Sequence, residues 1–181
     1  SSIAALIAET GGQNALIADS SALPEQLVKD VVASAFDSAG QRCSAARVLF
    51  VQDDIADKVK TMLAGAMEEL TIGDPGLLST DIGPVIDDEA KTRLLRHVER
   101  LRTQGCAVFQ AHDQSELDQL DGAFVAPTLV EIPSASLLER EVFGPVLHLI
   151  RYRRQDFDPL IGQINKLGYG LTFGLHSRID A

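Results

Sequence analysis

Cys43 stands in Ala39-Gly40-Gln41-Arg42-Cys43-Ser44, beside small, turn-forming residues at the end of an amphipathic stretch. A thiolate attacks an electrophilic carbon and a thiol barely does, so a nucleophilic cysteine needs a setting that favours its ionised form. Arg42 and the backbone amides of the Gly40 turn offer such a setting. The alternative is a structural cysteine, since free cysteine is among the most buried and least reactive residue types. Upstream, Ala8-Glu9-Thr10-Gly11-Gly12-Gln13-Asn14 sets a carboxylate against a Gly-Gly turn, where Glu9 is either a general base or an exposed strand-end carboxylate. Downstream, Glu141-Val142-Phe143-Gly144-Pro145-Val146 places a second carboxylate and an aromatic ring before a turn. Other chemistries find less support. His97, His112, His148 and His176 are scattered without metal-site spacing, and no histidine base for Cys43 follows from spacing. The sequence holds neither a Gly-x-Gly-x-x-Gly fingerprint nor a Walker loop.

These residues need elements to position them. The apolar runs over residues 3–7 and 15–18 predict strands, the first delivering Glu9 at its end. Pro24 suits a first helical turn, and Leu27, Val28, Val31, Val32, Ala35 and Phe36 form one apolar helical face ending near Gly40. Cys43 therefore falls in a helix-to-strand loop before the strand over residues 47–51. Asp53-Asp54 is expected to cap a helix over residues 55–70, and Asp87-Asp88-Glu89 to start one reaching Thr103, whose Lys and Arg face reads as solvated surface. Cys106 opens a strand over residues 106–109 and reads as buried within it. Residues 111–121 suggest a loop or weak helix, and residues 123–132 a strand pair broken at Pro127. Strands over residues 146–152 and 171–176 flank a helix ending near Lys166. Strands alternating with helices imply an α/β domain with a largely parallel sheet and flanking helices.

The 181 residues suit one domain, able to bury roughly 70% of its unfolded surface without a disulfide or metal. Two cysteines give no disulfide framework, which suits a reducing compartment. A net charge of −10 disfavours nucleic acid or an anionic membrane as partner of this segment, and no apolar run approaches the roughly 20 residues that span a bilayer.

Glu-Thr-Gly-Gly, then Gly-Gln-Arg-Cys-Ser, then Glu-x-Phe-Gly-Pro-Val, in this order, resemble the catalytic half of the NAD(P)-dependent aldehyde dehydrogenases, from about Ile7 to Arg178. The resemblance implies Cys43 as the nucleophile that adds to the aldehyde, its backbone amide as an oxyanion donor, and Glu9 as the base that activates the hydrolytic water. It implies Glu141 as the carboxylate for the nicotinamide ribose and Phe143 as the ring packed near the nicotinamide. Ser44 after the cysteine, with Gly168-Tyr169-Gly170-Leu171-Thr172-Phe173-Gly174, is most similar to the glutamate γ-semialdehyde (Δ1-pyrroline-5-carboxylate) dehydrogenases of proline catabolism. Within them it resembles the dehydrogenase part of the bifunctional proline utilization A family. There the Ser44 hydroxyl and the Phe173 and Gly174 amides match the groups that hold the substrate α-carboxylate, although many relatives have Thr-Gly and a small residue where this sequence has Thr172-Phe173-Gly174.

The resemblance further implies NAD as cofactor, with FAD only if a proline dehydrogenase is fused outside this chain. It implies a small-molecule aldehyde as substrate, a homo-oligomeric full-length protein, and a cytoplasmic location, peripheral to the inner membrane if part of a larger bifunctional protein. It leads us to expect a single truncated catalytic domain, with the NAD-binding domain outside the chain and the isolated segment inactive. Three other readings remain: a dehydrogenase for another aldehyde, a cysteine acyl-transfer or esterase domain, and an inactive interaction fragment. Glu141-x-Phe143 favours a dehydrogenase, because acyl transfer needs no ribose carboxylate.

Overall fold

The computed structural model of the chain describes residues 11–178. Glu9 and the strand expected over residues 3–7 lie outside the described residues. Among the described residues six strands form one sheet: β1 (Ala15–Ala18), β2 (Val48–Gln52), β3 (Ala107–Gln110), β4 (Thr128–Glu131), β5 (Val146–Tyr152) and β6 (Phe173–His176), in the order β3-β4-β5-β2-β1-β6. Every pairing is parallel except β3 with β4. The inner strands β1 and β2 are buried along their whole length. Parallel strands covered on both faces need apolar side chains on both, which is why they read as continuous apolar runs instead of alternating ones. Five helices connect the strands: α1 (Pro24–Phe36), α2 (Asp53–Glu68), α3 (Asp88–Thr103), the single turn α4 (Gln114–Leu117) and α5 (Phe157–Lys166). Helix α1 buries Leu27, Val28, Val31, Ala35 and Phe36 and packs against α2.

One consequence of this topology governs the site. Because β1, β2, β5 and β6 run parallel, their amino ends share one edge of the sheet. The segments entering them there are Gly12 to Asn14, Cys43 to Arg47, Glu141 to Pro145 and Gly170 to Thr172. Open α/β sheets commonly bind ligands at the carboxyl ends of their strands. Here the chemistry-bearing motifs gather at the opposite, amino edge.

Several expectations need correction. Asp53 and Asp54 lie inside the first turn of α2, with Gln52 at the N-cap and no side-chain cap bond; there the carboxylates favour the positive end of the helix dipole. Asp87 does cap α3, accepting from the Ala90 N–H at 2.7 Å. Residues 123–127 are not a strand: the Ala126 N–H is taken by the Gln114 side chain at 3.0 Å and the Ala123 carbonyl by the Val85 N–H at 2.9 Å, so no ladder forms before Thr128. Cys106 is half-buried and precedes β3. The last strand begins at Phe173, two residues later than its apolar run suggests, since the Thr172 N–H bonds a side chain instead.

Candidate active site

Helix α1 ends at Phe36 because the next residues leave helical space: Ser38, Ala39 and Gly40 all take positive φ, at 57°, 53° and 64°. This left-handed run reverses the chain and delivers Cys43 and Ser44 to the surface, where both are exposed. Gly40 is required, since a Cβ there would strike the Gly144 carbonyl. Among the described residues the Cys43 N–H bonds no acceptor and remains available to a developing negative charge.

Arg42 does not serve Cys43. Its guanidinium turns back to donate to the Ala33 and Ser34 carbonyls at 2.8 and 3.3 Å, satisfying the open end of α1. The cation at the centre of the site is Arg47, which is 0% exposed. It donates to the Gly40 carbonyl at 2.6 Å, the Arg42 carbonyl at 3.0 Å and Glu141 Oε1 at 3.2 Å, and lies 4.8 Å from the Phe143 ring centroid. One guanidinium thus ties the Cys43 loop to the Glu141–Phe143 loop. Burial pushes the Arg47 pKa down, while Glu141 and Cys43 oppose the shift electrostatically. Only Oε1 of Glu141 is bonded to Arg47; Oε2 faces Gly11, where a Cβ would collide with it.

By sequence Arg47 is only a strand-start residue. Nor does the sequence single out Asn14, which is 4% exposed and donates to the Cys43 and Ala45 carbonyls at 2.7 and 2.8 Å. The only signal for either was a polar residue abutting an apolar run. The histidines, distant in sequence, meet in part: His97 Nε2 and His148 Nε2 are 2.8 Å apart. His148 Nδ1 lies 2.9 Å from the Arg47 carbonyl, which only accepts, so Nδ1 carries the proton and Nε2 is bare. His97 Nε2 must then donate, leaving its Nδ1 to accept from Arg100 at 3.5 Å. Both rings are neutral in this arrangement. Burial, reinforced for His97 by Arg100 and for His148 by His97, pushes their pKa values down to about 4 and about 3.

A cleft of about 580 Å³ opens beside this cluster, lined among others by Gln41, Arg93, Arg96, His97, Glu141 and Phe143. On the other side of Cys43, Thr172 Oγ1 donates to the Ser44 carbonyl at 3.3 Å. Along β6 successive N–H groups alternate in direction. The Thr172 N–H points to Asn14, so the Gly174 N–H faces β1 and the Phe173 N–H points to the free edge.

The sequence matches the aldehyde dehydrogenase family over residues 1–180. The chain belongs to this family. It is 60% identical over 178 residues to the bifunctional protein PutA of Escherichia coli (strain K12), covering 97% of this chain and 14% of the relative. It is 34% identical to the 1-pyrroline-5-carboxylate dehydrogenase of Geobacillus kaustophilus, covering 96% of the chain and 33% of the relative. A solved structure of a bifunctional proline utilization A protein superposes with a TM-score of 0.91 at 53% identity, covering 99% of this chain and 18% of that one. The chain therefore spans a minor part of the length of these relatives. Aldehyde dehydrogenases typically use NAD(P) and act on aldehydes. The cleft presents the Glu141 carboxylate beside the exposed Phe143 ring. Among the described residues no helix is long and apolar enough to cross a membrane.

Proposed function

We propose that this chain carries the thiol-bearing catalytic domain of an NAD-dependent L-glutamate γ-semialdehyde dehydrogenase that forms L-glutamate in proline catabolism. The observation that carries the reading is the exposed Cys43, held by Arg47 next to the Glu141–Phe143 cleft. The identity to PutA and to 1-pyrroline-5-carboxylate dehydrogenase supports the substrate.

In this reading the Cys43 thiolate adds to the aldehyde carbon, and the resulting oxyanion takes a hydrogen bond from the Cys43 N–H. Bound NAD would supply the hydride acceptor needed to turn this adduct into a thioester on Cys43. Glu141 and Phe143 hold the nicotinamide riboside end. Glu9 removes a proton from water, which attacks the thioester and releases the acid and the thiolate. Ser44 and the Phe173–Gly174 segment hold the α-carboxylate of the substrate. The Phe173 N–H is the better placed of the two amides, because the Gly174 N–H faces the ladder with β1. The NAD-binding domain and any fused proline dehydrogenase with its FAD belong to parts of the protein outside this segment; the full-length protein is a homo-oligomer and acts in the cytoplasm.

The test is Glu9→Gln in the full-length protein with glutamate semialdehyde and NAD. Turnover should fall about 10²–10⁴-fold, as loss of a general base does, with an acyl group trapped on Cys43 in rapid-quench mass spectrometry. Unchanged turnover with no acyl-enzyme would remove Glu9 from the mechanism.

A further inference from the structure

The Asn14 side chain hydrogen-bonds both the Cys43 loop and the segment entering β6. Its two N–H groups are used on the Cys43 and Ala45 carbonyls, and its Oδ1 accepts from the Thr172 N–H at 3.2 Å. The amide orientation follows from these partners, because carbonyls only accept and a backbone N–H only donates. Holding the Cys43 and Ala45 carbonyls fixes two peptide planes of the loop on which the Cys43 and Ser44 side chains stand exposed. A second link runs in parallel, from Thr172 Oγ1 to the Ser44 carbonyl at 3.3 Å. The backbone of Asn14 belongs to the same knot, its carbonyl accepting from the Arg47 and Val48 N–H groups at 3.0 and 3.2 Å.

We infer that Asn14 is a positioning residue that sets the separation between the Cys43 thiolate and the segment entering β6, and thereby selects aldehydes whose distal anion reaches that segment. The inference rests on the proposed dehydrogenase reading for its substrate and on the hydrogen bonds alone for its geometry.

Two substitutions in the full-length protein separate the two sides of the link. Asn14→Asp keeps an acceptor for the Thr172 N–H but turns a carboxylate oxygen toward two carbonyls, so it should disturb the nucleophile loop. Its kcat with both glutamate semialdehyde and propanal should fall about 10–100-fold, the cost of displacing a reacting group by around an ångström. Iodoacetamide alkylation of Cys43 should slow in parallel, with an altered pH profile. Thr172→Val removes only the parallel link, and should raise KM for glutamate semialdehyde about 3–10-fold, the worth of one hydrogen bond, with a smaller change for propanal. Alkylation of Cys43 in Asn14→Asp at the wild-type rate and pH profile, with only thermal stability lowered, would make Asn14 purely structural and overturn the inference. Equal KM changes for both aldehydes in Thr172→Val would also overturn it. If the wild-type protein reduces NAD with neither aldehyde, the dehydrogenase reading fails, while the alkylation comparison still tests the geometry.

Discussion

At the scale of single residues the site is built around a buried charge. Arg47 and Glu141 form an ion pair whose side chains are 1% and 11% exposed. Removing one partner of such a pair leaves the other uncompensated, which costs about 3–5 kcal/mol. Arg47→Met should therefore lower the unfolding free energy by about that amount, and, on the proposed dehydrogenase reading, should raise the KM for NAD in the full-length protein, because Glu141 loses the group that aims it. A chemical-denaturation midpoint unchanged from wild type would show that the pair adds nothing. The two thiols make a simpler contrast: Cys43 is exposed and Cys106 half-buried, so limited iodoacetamide followed by peptide mapping should label Cys43 first. Preferential labelling of Cys106 would sink the nucleophile assignment. The Cys43 and Glu141–Phe143 motifs can be singled out in the sequence because their residue types suggest a chemistry inside short motifs, and the structure brings their loops together around Arg47. Arg47 and Asn14 cannot be singled out this way, because their roles arise only where loops distant in sequence meet, and an arginine at a strand start normally faces water.

At the scale of elements, legibility followed burial. The stripe of α1 and the runs of β1, β2 and β5 could be read because burial on one or both faces demands an unbroken apolar pattern. Residues 123–126 are just as buried and just as apolar, yet form no strand, since their backbone groups bond to a glutamine side chain and a loop. A hydrophobic pattern reports burial and not the partner of the backbone. The turn between α1 and β2 is where the sequence constrains conformation most tightly. Gly40→Ala would combine a left-handed φ with a Cβ driven into the Gly144 carbonyl. The cost should exceed about 2 kcal/mol, more than either strain or crowding alone. Urea midpoints for this variant and for Gly65→Ala, whose helical site offers a Cβ open space, make the comparison. Equal stabilities for the two would mean that the left-handed run is not needed to present Cys43.

At the scale of the whole molecule, buried His148 and half-buried His97 form a titratable pair whose effect on stability has a defined sign. His97 and His148 have folded pKa values of about 4 and about 3 against 6.5 for the free side chain. Below pH 6.5 the unfolded chain takes up protons that the folded chain refuses, so stability is full above that pH and declines as the pH falls toward 4. The carboxylates held low by their partners, such as Glu131 by Arg151 and Lys60, act in a separate window. Their stabilisation is present above the unfolded value of 4.5 and is lost only as the pH falls below it. Between pH 6.5 and 4.5 the slope therefore belongs to the histidine pair, at roughly 1 kcal/mol per pH unit for each ring. His97→Gln supplies an amide that can still donate to His148 Nε2 but cannot titrate. Urea unfolding of the chain at pH 7, 6 and 5 should show the variant with about half the wild-type slope, as one of two rings remains. An identical slope in wild type and variant would mean that His97 takes its proton as readily folded as unfolded, and that the relay from Arg100 through the two rings to the Arg47 carbonyl is not closed in solution.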